Sequence, residues 1–284
     1  MNISAFENAY LNRIETIDQA EEINVLVANA LRFVIQNVFS NITNSFVFTV
    51  STSKKTAVEF WLHDTMSKLF ATWGFMAVQL IVLDHTMRKL DVPGQRYCNM
   101  IMIDSLDSLK KTNIAEYNRK SDGLEYYYIF LQEQDYLFVK EMQLIFKYCF
   151  DNYWIHCNVM FQNSKGEVLV YTYFPFKESH CFQTQPELIN QFKDNKFIND
   201  VMFPDKLQNL QGCPLIVSTW PTPPFVEKAQ NKAHPNLEIA GCEAAILAAI
   251  SLNMNFTIDI DWLDVDTYYQ NKSPQVVPLS KVLK

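Results

Sequence analysis

Short apolar runs alternate along most of the chain with segments whose apolar residues recur every three or four positions. The three-to-four spacing is typical of amphipathic helices. We predict helices over residues 23–39, 56–73, 106–110 and 136–149. Branched and aromatic runs predict strands over 46–50, 99–103 and 126–131, and a further short apolar run covers 77–83. Strands and helices in alternation normally form a parallel sheet covered by helices on both faces, so the predicted fold class is α/β.

Polar and apolar residues alternate between residues 155 and 173, with turn-forming residues in the middle of the segment. This pattern predicts a β-hairpin at the edge of the sheet. Farther on the chain becomes polar, and we place a domain boundary within residues 194–203. The boundary divides the chain into an amino-terminal α/β domain, residues 1–200, and a second unit, residues 201–284.

The second unit shows the beginning of a βαβ pattern. Its predicted elements are a strand over 214–219, a proline-rich bend over 220–225, a polar loop over 227–238, a helix over 242–252 and a strand over 256–260. Roughly 80 residues are too few for a two-lobed binding domain, whose lobes usually need about 100 residues each. We therefore expect this unit to be the truncated opening part of one lobe.

Residues 239–258 come close to the length and apolarity of a membrane span, with Glu243 as their one charged residue. Asn253 and Asn255 lie within the segment, and its pattern then changes from helical to alternating. Both features favour a buried helix followed by a strand. The first 22 residues carry several charges and no apolar core, so we expect neither a signal peptide nor a transmembrane segment in the chain as written.

Composition adds three constraints on the function. An apolar content of 49% in 284 residues is enough for a substantial core, which excludes a disordered chain. The net charge is −7 and the basic residues are scattered, which argues against nucleic acid as a partner because phosphate binding needs a clustered basic face. Four Asn-X-Ser/Thr sequons fit a secreted glycoprotein, with Asn41 and Asn255 as candidate glycosylation sites; the others begin at Asn2 and Asn271.

The residues most able to carry metal or catalytic chemistry are poorly arranged for it. His156-Cys157 and His180-Cys181 would place neighbouring side chains on opposite faces of a strand, so one strand cannot supply both ligands. The acidic residues of 259–266 lack the spacing and the glycine of an EF-hand loop. The six cysteines include no Cys-X-X-Cys pair and no nucleophile signature, and their disulfide pairing stays open. We predict no metal, no cofactor and no catalytic residue.

Several sequence strings occur in the order and spacing of a known family. They are Leu-Gln-Gly-Cys-Pro-Leu-Ile-Val-Ser-Thr-Trp at 210–220, Pro-Pro-Phe-Val at 223–226, Gly-Cys-Glu at 241–243 and Asn-Phe-Thr at 255–257, preceded by Tyr-Thr-Tyr-Phe-Pro-Phe at 171–176, Cys181, and Pro-Glu-Leu-Ile-Asn at 186–190. With these strings the chain resembles the divergent ionotropic receptors of insects, chemosensory relatives of the ionotropic glutamate receptors. The resemblance spans residues 23–262.

The resemblance implies a non-enzymatic extracellular fragment of a ligand-gated ion-channel subunit of the plasma membrane, ending before any channel-forming segment. Residues 1–200 would be the amino-terminal domain, and residues 201–284 would open the first lobe of a periplasmic-binding-protein-like ligand-binding domain. The strand and bend after the Gly-Cys-Pro string line a cleft in such lobes. The candidate ligand-binding residues are therefore Thr219, Trp220, Pro224, Phe225 and Gly241. The implied partners are a small-molecule chemosensory ligand and co-receptor subunits.

Alternatives stay open for both the site and the function. Trp220 and Phe225 could pack between the strand and the helix, and the chain could be a soluble α/β small-molecule-binding protein without a channel. Glutamate is not the expected ligand, because Ile239 stands where glutamate-gated relatives carry a tyrosine. The first amides of the helix at Gly241 suit an anionic ligand group, but Glu243 competes for the same donors.

Overall fold

The computed structural model describes residues 25–53, 57–71, 76–83, 97–112, 125–132, 138–163, 165–228 and 239–263. The chain divides into two compact units. The larger unit comprises Met1–Tyr173 and Thr184–Pro204, and the smaller unit comprises Phe174–Gln183 and Asp205–Lys284. Residues 174–183 thus group with the later part of the chain, on the other side of the boundary predicted at residue 200, and that boundary stays a prediction.

The larger unit is built on one eight-stranded sheet. Its strands are β1 (Ser45–Ser51), β2 (Ala77–Leu83), β3 (Cys98–Ile103), β4 (Tyr126–Leu131), β5 (His156–Gln162), β6 (Val168–Thr172), β7 (Glu187–Lys193) and β8 (Lys196–Phe197). They lie in the order β2-β1-β3-β4-β5-β6-β7-β8. The pairings from β2 to β5 are parallel, and those from β5 to β8 are antiparallel.

Helices cover both faces of this sheet. They are α1 (25–37 in the described part), α2 (Ala57–Phe70), α3 (Leu106–Lys111) and α4 (Phe138–Asp151). On one face, Leu31 of α1 and Leu69 of α2 are fully buried against β1, β3 and β4. On the other face, Leu109 of α3 and Phe146 of α4 are fully buried against β3, β4 and β5. Every residue of β3 is buried as a result, which explains its continuous apolar run and confirms the predicted α/β class.

The hairpin prediction is correct in its pairing and wrong in its position. β5 and β6 are antiparallel, with Phe161 opposite Leu169. They do not form the edge of the sheet, because β7 and β8 continue it as a second hairpin. Asp194 and Asn195 form its turn with φ of 52° and 57°, the left-handed pair that a two-residue hairpin turn requires. The polar segment interpreted as a boundary, residues 194–203, therefore contains the turn of this hairpin and its second strand, β8.

The smaller unit contains β9 (Pro214–Thr219), β10 (Glu227–Lys228), β11 (Ile239–Ala240), α5 (Cys242–Met254) and β12 (Thr257–Trp262). β9 and β12 form a parallel pair, and α5 lies between them in the chain. β10 and β11 form a short antiparallel pair. A disulfide between Cys181 and Cys213 ties residues 174–183 to the rest of the unit.

A helix followed by a strand occupies residues 239–258, as predicted, but the helix is not buried. Ile246 is 60% exposed and Leu252 is 86% exposed. The helix is mostly apolar, with Glu243, Ser251 and Asn253 as exceptions. The unit's small core around Val226, Ile239 and Ala244 covers one flank of it. Of the helices that the structure describes, none is long and apolar enough to cross a membrane.

Candidate functional site

The predicted binding residues lie at the carboxyl end of the parallel pair β9 and β12. β9 ends at Thr219, whose carbonyl accepts a hydrogen bond from the Leu263 N–H at 2.8 Å. The chain then enters the proline-rich bend, residues 220–225, and continues through Val226 into β10. Ligands of open α/β sheets bind outside the carboxyl ends of the strands, so the bend has the position of a binding segment.

The bend is closed by its own backbone. The Thr222 N–H donates to the Val226 carbonyl at 2.7 Å, and the Val226 N–H donates to the Thr222 carbonyl at 3.1 Å. Pro223 and Pro224 lie at the tip between these residues and are joined by a cis peptide bond. Proline fixes φ, and Val226 is anchored in the unit's core, so the tip is held in one conformation.

Gly241 is the residue on which the bend rests. It is the N-cap of α5, with φ 104° and ψ 177°, a backbone conformation essentially restricted to glycine. A Cβ at this position would lie 2.3 Å from the Phe225 carbonyl oxygen and 2.8 Å from that of Pro224. The Phe225 carbonyl also accepts a hydrogen bond from the Glu243 N–H at 3.1 Å. The start of α5 is thus packed directly against the backbone of the bend.

The two aromatic candidates are presented to solvent. Trp220 is 44% exposed and Phe225 is 50% exposed. Pro224 and Gly241 are exposed as well, and Thr219 is half-buried. Neither ring belongs to the buried cluster of the smaller unit, so neither is a core residue of that unit.

The amino-terminal amides of α5 are partly used by the protein itself. The Glu243 N–H is bonded to the Phe225 carbonyl, as described above, while the Glu243 side chain is exposed. One of the free donors that suit an anion is therefore already satisfied within the unit. Recognition of an anionic ligand group at this helix start stays a prediction.

Both candidate glycosylation sites that the structure describes are on the surface. Asn41 ends a 3₁₀ turn (Phe39–Asn41) and is exposed, and its side-chain amide donates to the Asn37 carbonyl at 2.8 Å. Asn255 is the exposed left-handed C-cap of α5. Asn2 and Asn271 lie outside the described residues.

Metal-ligand geometry is absent from the part of the chain that the structure describes, where no three His, Cys, Asp or Glu side chains are grouped to hold an ion. Cys181 is bonded to Cys213 and so is not available as a ligand. Asp259 and Asp261 lie exposed on β12, and the Ser218 hydroxyl donates to Asp261 at 3.0 Å. Asp264 and Asp266, the other members of the acidic segment, lie outside the described residues.

A polar network at the carboxyl end of the large sheet was not predicted from the sequence. The Asp104 carboxylate follows β3 and accepts from the Ser53 N–H at 3.0 Å and from the Ser105 hydroxyl at 3.0 Å. Glu141 of α4 accepts from the Leu106 N–H at the start of α3. The sequence feature that could have indicated this network is the pair Asp104-Ser105 directly after the buried strand β3. These bonds tie β1, α3 and α4 together and satisfy the carboxylates within the unit.

Three buried titratable groups lie in the large sheet and next to it. Burial raises the pKa of the Cys98 thiol to about 12 and that of the Tyr128 hydroxyl well above its usual range. Burial, with the nearby Cys149, Cys157 and Asp151, likewise raises the pKa of Tyr173. All three groups are neutral at physiological pH, so they contribute to packing and not to charge.

The fold defines the chain as a member of the α/β class, with a mostly parallel sheet and, in the smaller unit, a bend placed where ligands of such sheets bind. The model of the family described as "Putative ionotropic receptor, ligand binding domain" matches residues 17–209. Because this match covers more than half of the 284 residues, the chain belongs to the ionotropic receptor ligand-binding domain family. No curated protein matches the chain.

Membership places the chain among parts of membrane receptor subunits that recognise small molecules, which is not a family of enzymes. The matched range contains all strands of the large sheet. The five predicted binding residues come after its end at residue 209. Their role in binding stays a prediction.

Proposed function

We propose that this chain is the extracellular ligand-recognising part of a chemosensory, ligand-gated ion-channel subunit of the divergent insect type. The observation that carries the proposal is the bend, fixed on Gly241 at the carboxyl end of β9, which holds Trp220 and Phe225 half exposed. Aromatic side chains commonly line small-molecule sites, and half-exposed rings on a proline-containing bend suit an apolar ligand surface.

The bend supplies one wall of the proposed cleft. Its aromatic rings offer apolar surface, and the half-buried Thr219 offers a hydroxyl at the same end of β9. A wall of this kind suits a small organic molecule with one large apolar part and a polar group that orients it. The proposed ligand class is therefore a small, weakly polar organic compound and not an amino acid.

The second part of the proposal concerns how the smaller unit is completed. A parallel pair of strands is normally covered on both faces, and a two-stranded sheet is marginal alone. Apolar residues of α5, among them Ile246, Ile250 and Leu252, are 44% to 86% exposed. We propose that residues 201–284 open a first lobe, that later receptor segments cover α5, and that residues 1–200 form the amino-terminal domain.

A binding screen with matched variants tests the site. The chain is heated with a panel of small organic acids, amines, alcohols and aromatic compounds, and a ligand at about 100 times its Kd should stabilise the protein by about 2.7 kcal/mol. Trp220→Ala and Phe225→Ala should abolish the stabilisation. Phe182→Ala is the control, because Phe182 is also in the smaller unit and is as exposed as Trp220, at 44%. Equal loss in all three variants, or in none, contradicts the assignment.

Sequencing the full-length transcript at both ends tests whether this chain is part of an ion-channel subunit. We expect the reading frame to continue into a second lobe and a pore module with membrane spans. Expression of that receptor with co-receptor subunits should then give ligand-dependent currents that Trp220→Ala removes. Continuation into an ordinary soluble domain would exclude the channel, and with a positive binding screen it would favour a soluble binding protein.

Glycosylation tests the extracellular location. The chain secreted from insect cells should carry N-linked glycans at Asn41 and Asn255, because both side chains are exposed within sequons. The mass added by glycans should fall when Asn41→Gln and Asn255→Gln are introduced. A secreted chain with no glycan at either residue contradicts this part of the proposal.

A further inference from the structure

Two buried cysteines face each other where α4 leads into β5. Cys149 lies near the end of α4 and Cys157 is the second residue of β5, and both are 0% exposed. Their sulfur atoms are 3.5 Å apart. A disulfide has an S–S distance of about 2.05 Å, so the two sulfur atoms need to approach by only about 1.5 Å.

The backbone on both sides of this pair is already fixed. The Cys149 carbonyl accepts from the Trp154 N–H at 2.9 Å, and the Trp154 ring is stacked on Tyr127 at 4.1 Å. The Cys157 carbonyl accepts from the Thr172 hydroxyl at 2.7 Å. Side-chain rotation of the two cysteines is therefore the main movement that bond formation needs.

We propose that Cys149 and Cys157 form a second intrachain disulfide when the chain folds in an oxidising compartment. The disulfide between Cys181 and Cys213 is independent support, because such bonds persist in oxidising environments. The proposal concerns covalent structure in the larger unit and depends neither on the ligand nor on the channel.

The chemistry is ordinary thiol–disulfide exchange. One cysteine thiolate attacks the disulfide of an oxidised carrier, glutathione disulfide or a thiol–disulfide oxidoreductase, and forms a mixed disulfide. The second cysteine displaces the carrier. Two S–H bonds are lost and one S–S bond forms, while two electrons and two protons convert the carrier disulfide to two thiols. Because both cysteines end fully buried, the exchange takes place before this part of the core closes.

Peptide mapping of the unmodified chain tests the proposal. The chain is refolded in a glutathione redox buffer, denatured without a reductant, alkylated and digested. We expect alkylation at Cys98 and Cys242 and none at Cys149 and Cys157. Trypsin leaves both cysteines in one peptide, residues 148–165. The mass of this peptide should be lower by two hydrogen atoms than the mass of the same peptide with both thiols reduced. Cleavage between them should leave two fragments joined until reduction. Alkylated Cys149 and Cys157, whatever the state of Cys181 and Cys213, overturn the proposal, as does pairing of either with another cysteine.

A stability measurement provides a second, independent test. Reduction should lower the melting temperature of the wild-type chain by more than that of the Cys149→Ala/Cys157→Ala double variant, because the variant has one disulfide fewer to lose. Cys98→Ala is the matched control, since Cys98 is also 0% exposed and should leave the effect of reduction unchanged. Equal falls in the wild type and in the double variant contradict the proposal.

Discussion

Replacement of Gly241 by alanine is the sharpest perturbation of the candidate site. The new Cβ would lie 2.3 Å from the Phe225 carbonyl oxygen, 2.7 Å from its carbonyl carbon and 2.8 Å from the Pro224 carbonyl oxygen. All three are backbone atoms, so no side-chain rotation relieves the overlap. Either the bend or the start of α5 has to move, and the hydrogen bond from the Glu243 N–H to Phe225 is lost.

The expected magnitude has two parts. The backbone conformation at Gly241 costs a residue with a side chain about 1 to 3 kcal/mol, and forcing extra atoms into a packed contact typically adds about 1 to 3 kcal/mol. Gly212→Ala is the control, because Gly212 has φ 73° and nothing lies within 4 Å of its added Cβ. The control variant carries only the backbone cost, about 1 to 2 kcal/mol. We therefore expect Gly241→Ala to exceed it by the cost of the overlap, roughly 2 kcal/mol, which is more than a factor of ten in an equilibrium constant.

Hydrogen exchange measured by mass spectrometry separates the two variants. Peptides covering the first turn of α5, which contains the Glu243 and Ala245 amides, should exchange at least about tenfold faster in Gly241→Ala than in Gly212→Ala. Peptides of β4, in the larger unit, should be unchanged in both. Equal exchange of the first turn in the two variants refutes the argument that the bend rests on Gly241.

Three other predictions concern the core and the covalent structure. Tyr128→Phe should leave stability unchanged or raise it by about 1 kcal/mol, because the buried hydroxyl has no hydrogen-bond partner among the described residues. Tyr173→Phe should cost about 1 to 2 kcal/mol, because its hydroxyl donates to a backbone carbonyl at 2.9 Å. Urea unfolding compares the stability of the two variants. Cys181→Ala should destabilise the smaller unit by about 3 to 4 kcal/mol, since the disulfide to Cys213 spans 32 residues, and unchanged exchange in β9 would contradict this. Burial raises the pKa of Cys98 to about 12 in the folded state, so its neutral thiol contributes stability that is fully present below pH 9.0 and is lost as the pH rises toward 12. The urea midpoint of the wild type should therefore fall more between about pH 7 and about pH 10 than that of Cys98→Ala.

The central strands of the large sheet were predictable because strands that are buried on both faces have continuous apolar runs in the local sequence. β4, in which all residues but the first are buried, begins and ends where the apolar pattern placed it, at residues 126–131. β7 was missed because polar residues are buried in it. Asn190 is 3% exposed and is bonded through its side chain to the Asn199 backbone at 2.8 and 3.0 Å, a pairing across the hairpin that no local pattern reveals.

Burial of α5 was predicted wrongly for a related reason. An apolar helix is buried only if other elements surround it, and the sequence of the helix does not state how many neighbours it has. At the candidate site, the prolines indicated the bend, but the contact between Gly241 and Phe225 joins residues 16 positions apart. That contact depends on tertiary packing, so the sequence predicted the candidate residues but not why position 241 requires a glycine.

The path of the chain between the two units restricts how they can be separated. The chain leaves the larger unit after Tyr173, returns at Thr184 and leaves again after Pro204. A fragment that begins at Asp205 would carry Cys213 without Cys181, and the Cys213 sulfur, which is disulfide-bonded and fully buried in the intact protein, would become a free thiol. A single proteolytic cut therefore cannot release either unit intact, and a single exon boundary cannot separate their coding sequences. An exchange of the smaller unit between related receptors has to transfer residues 174–183 together with the residues from Asp205 onward.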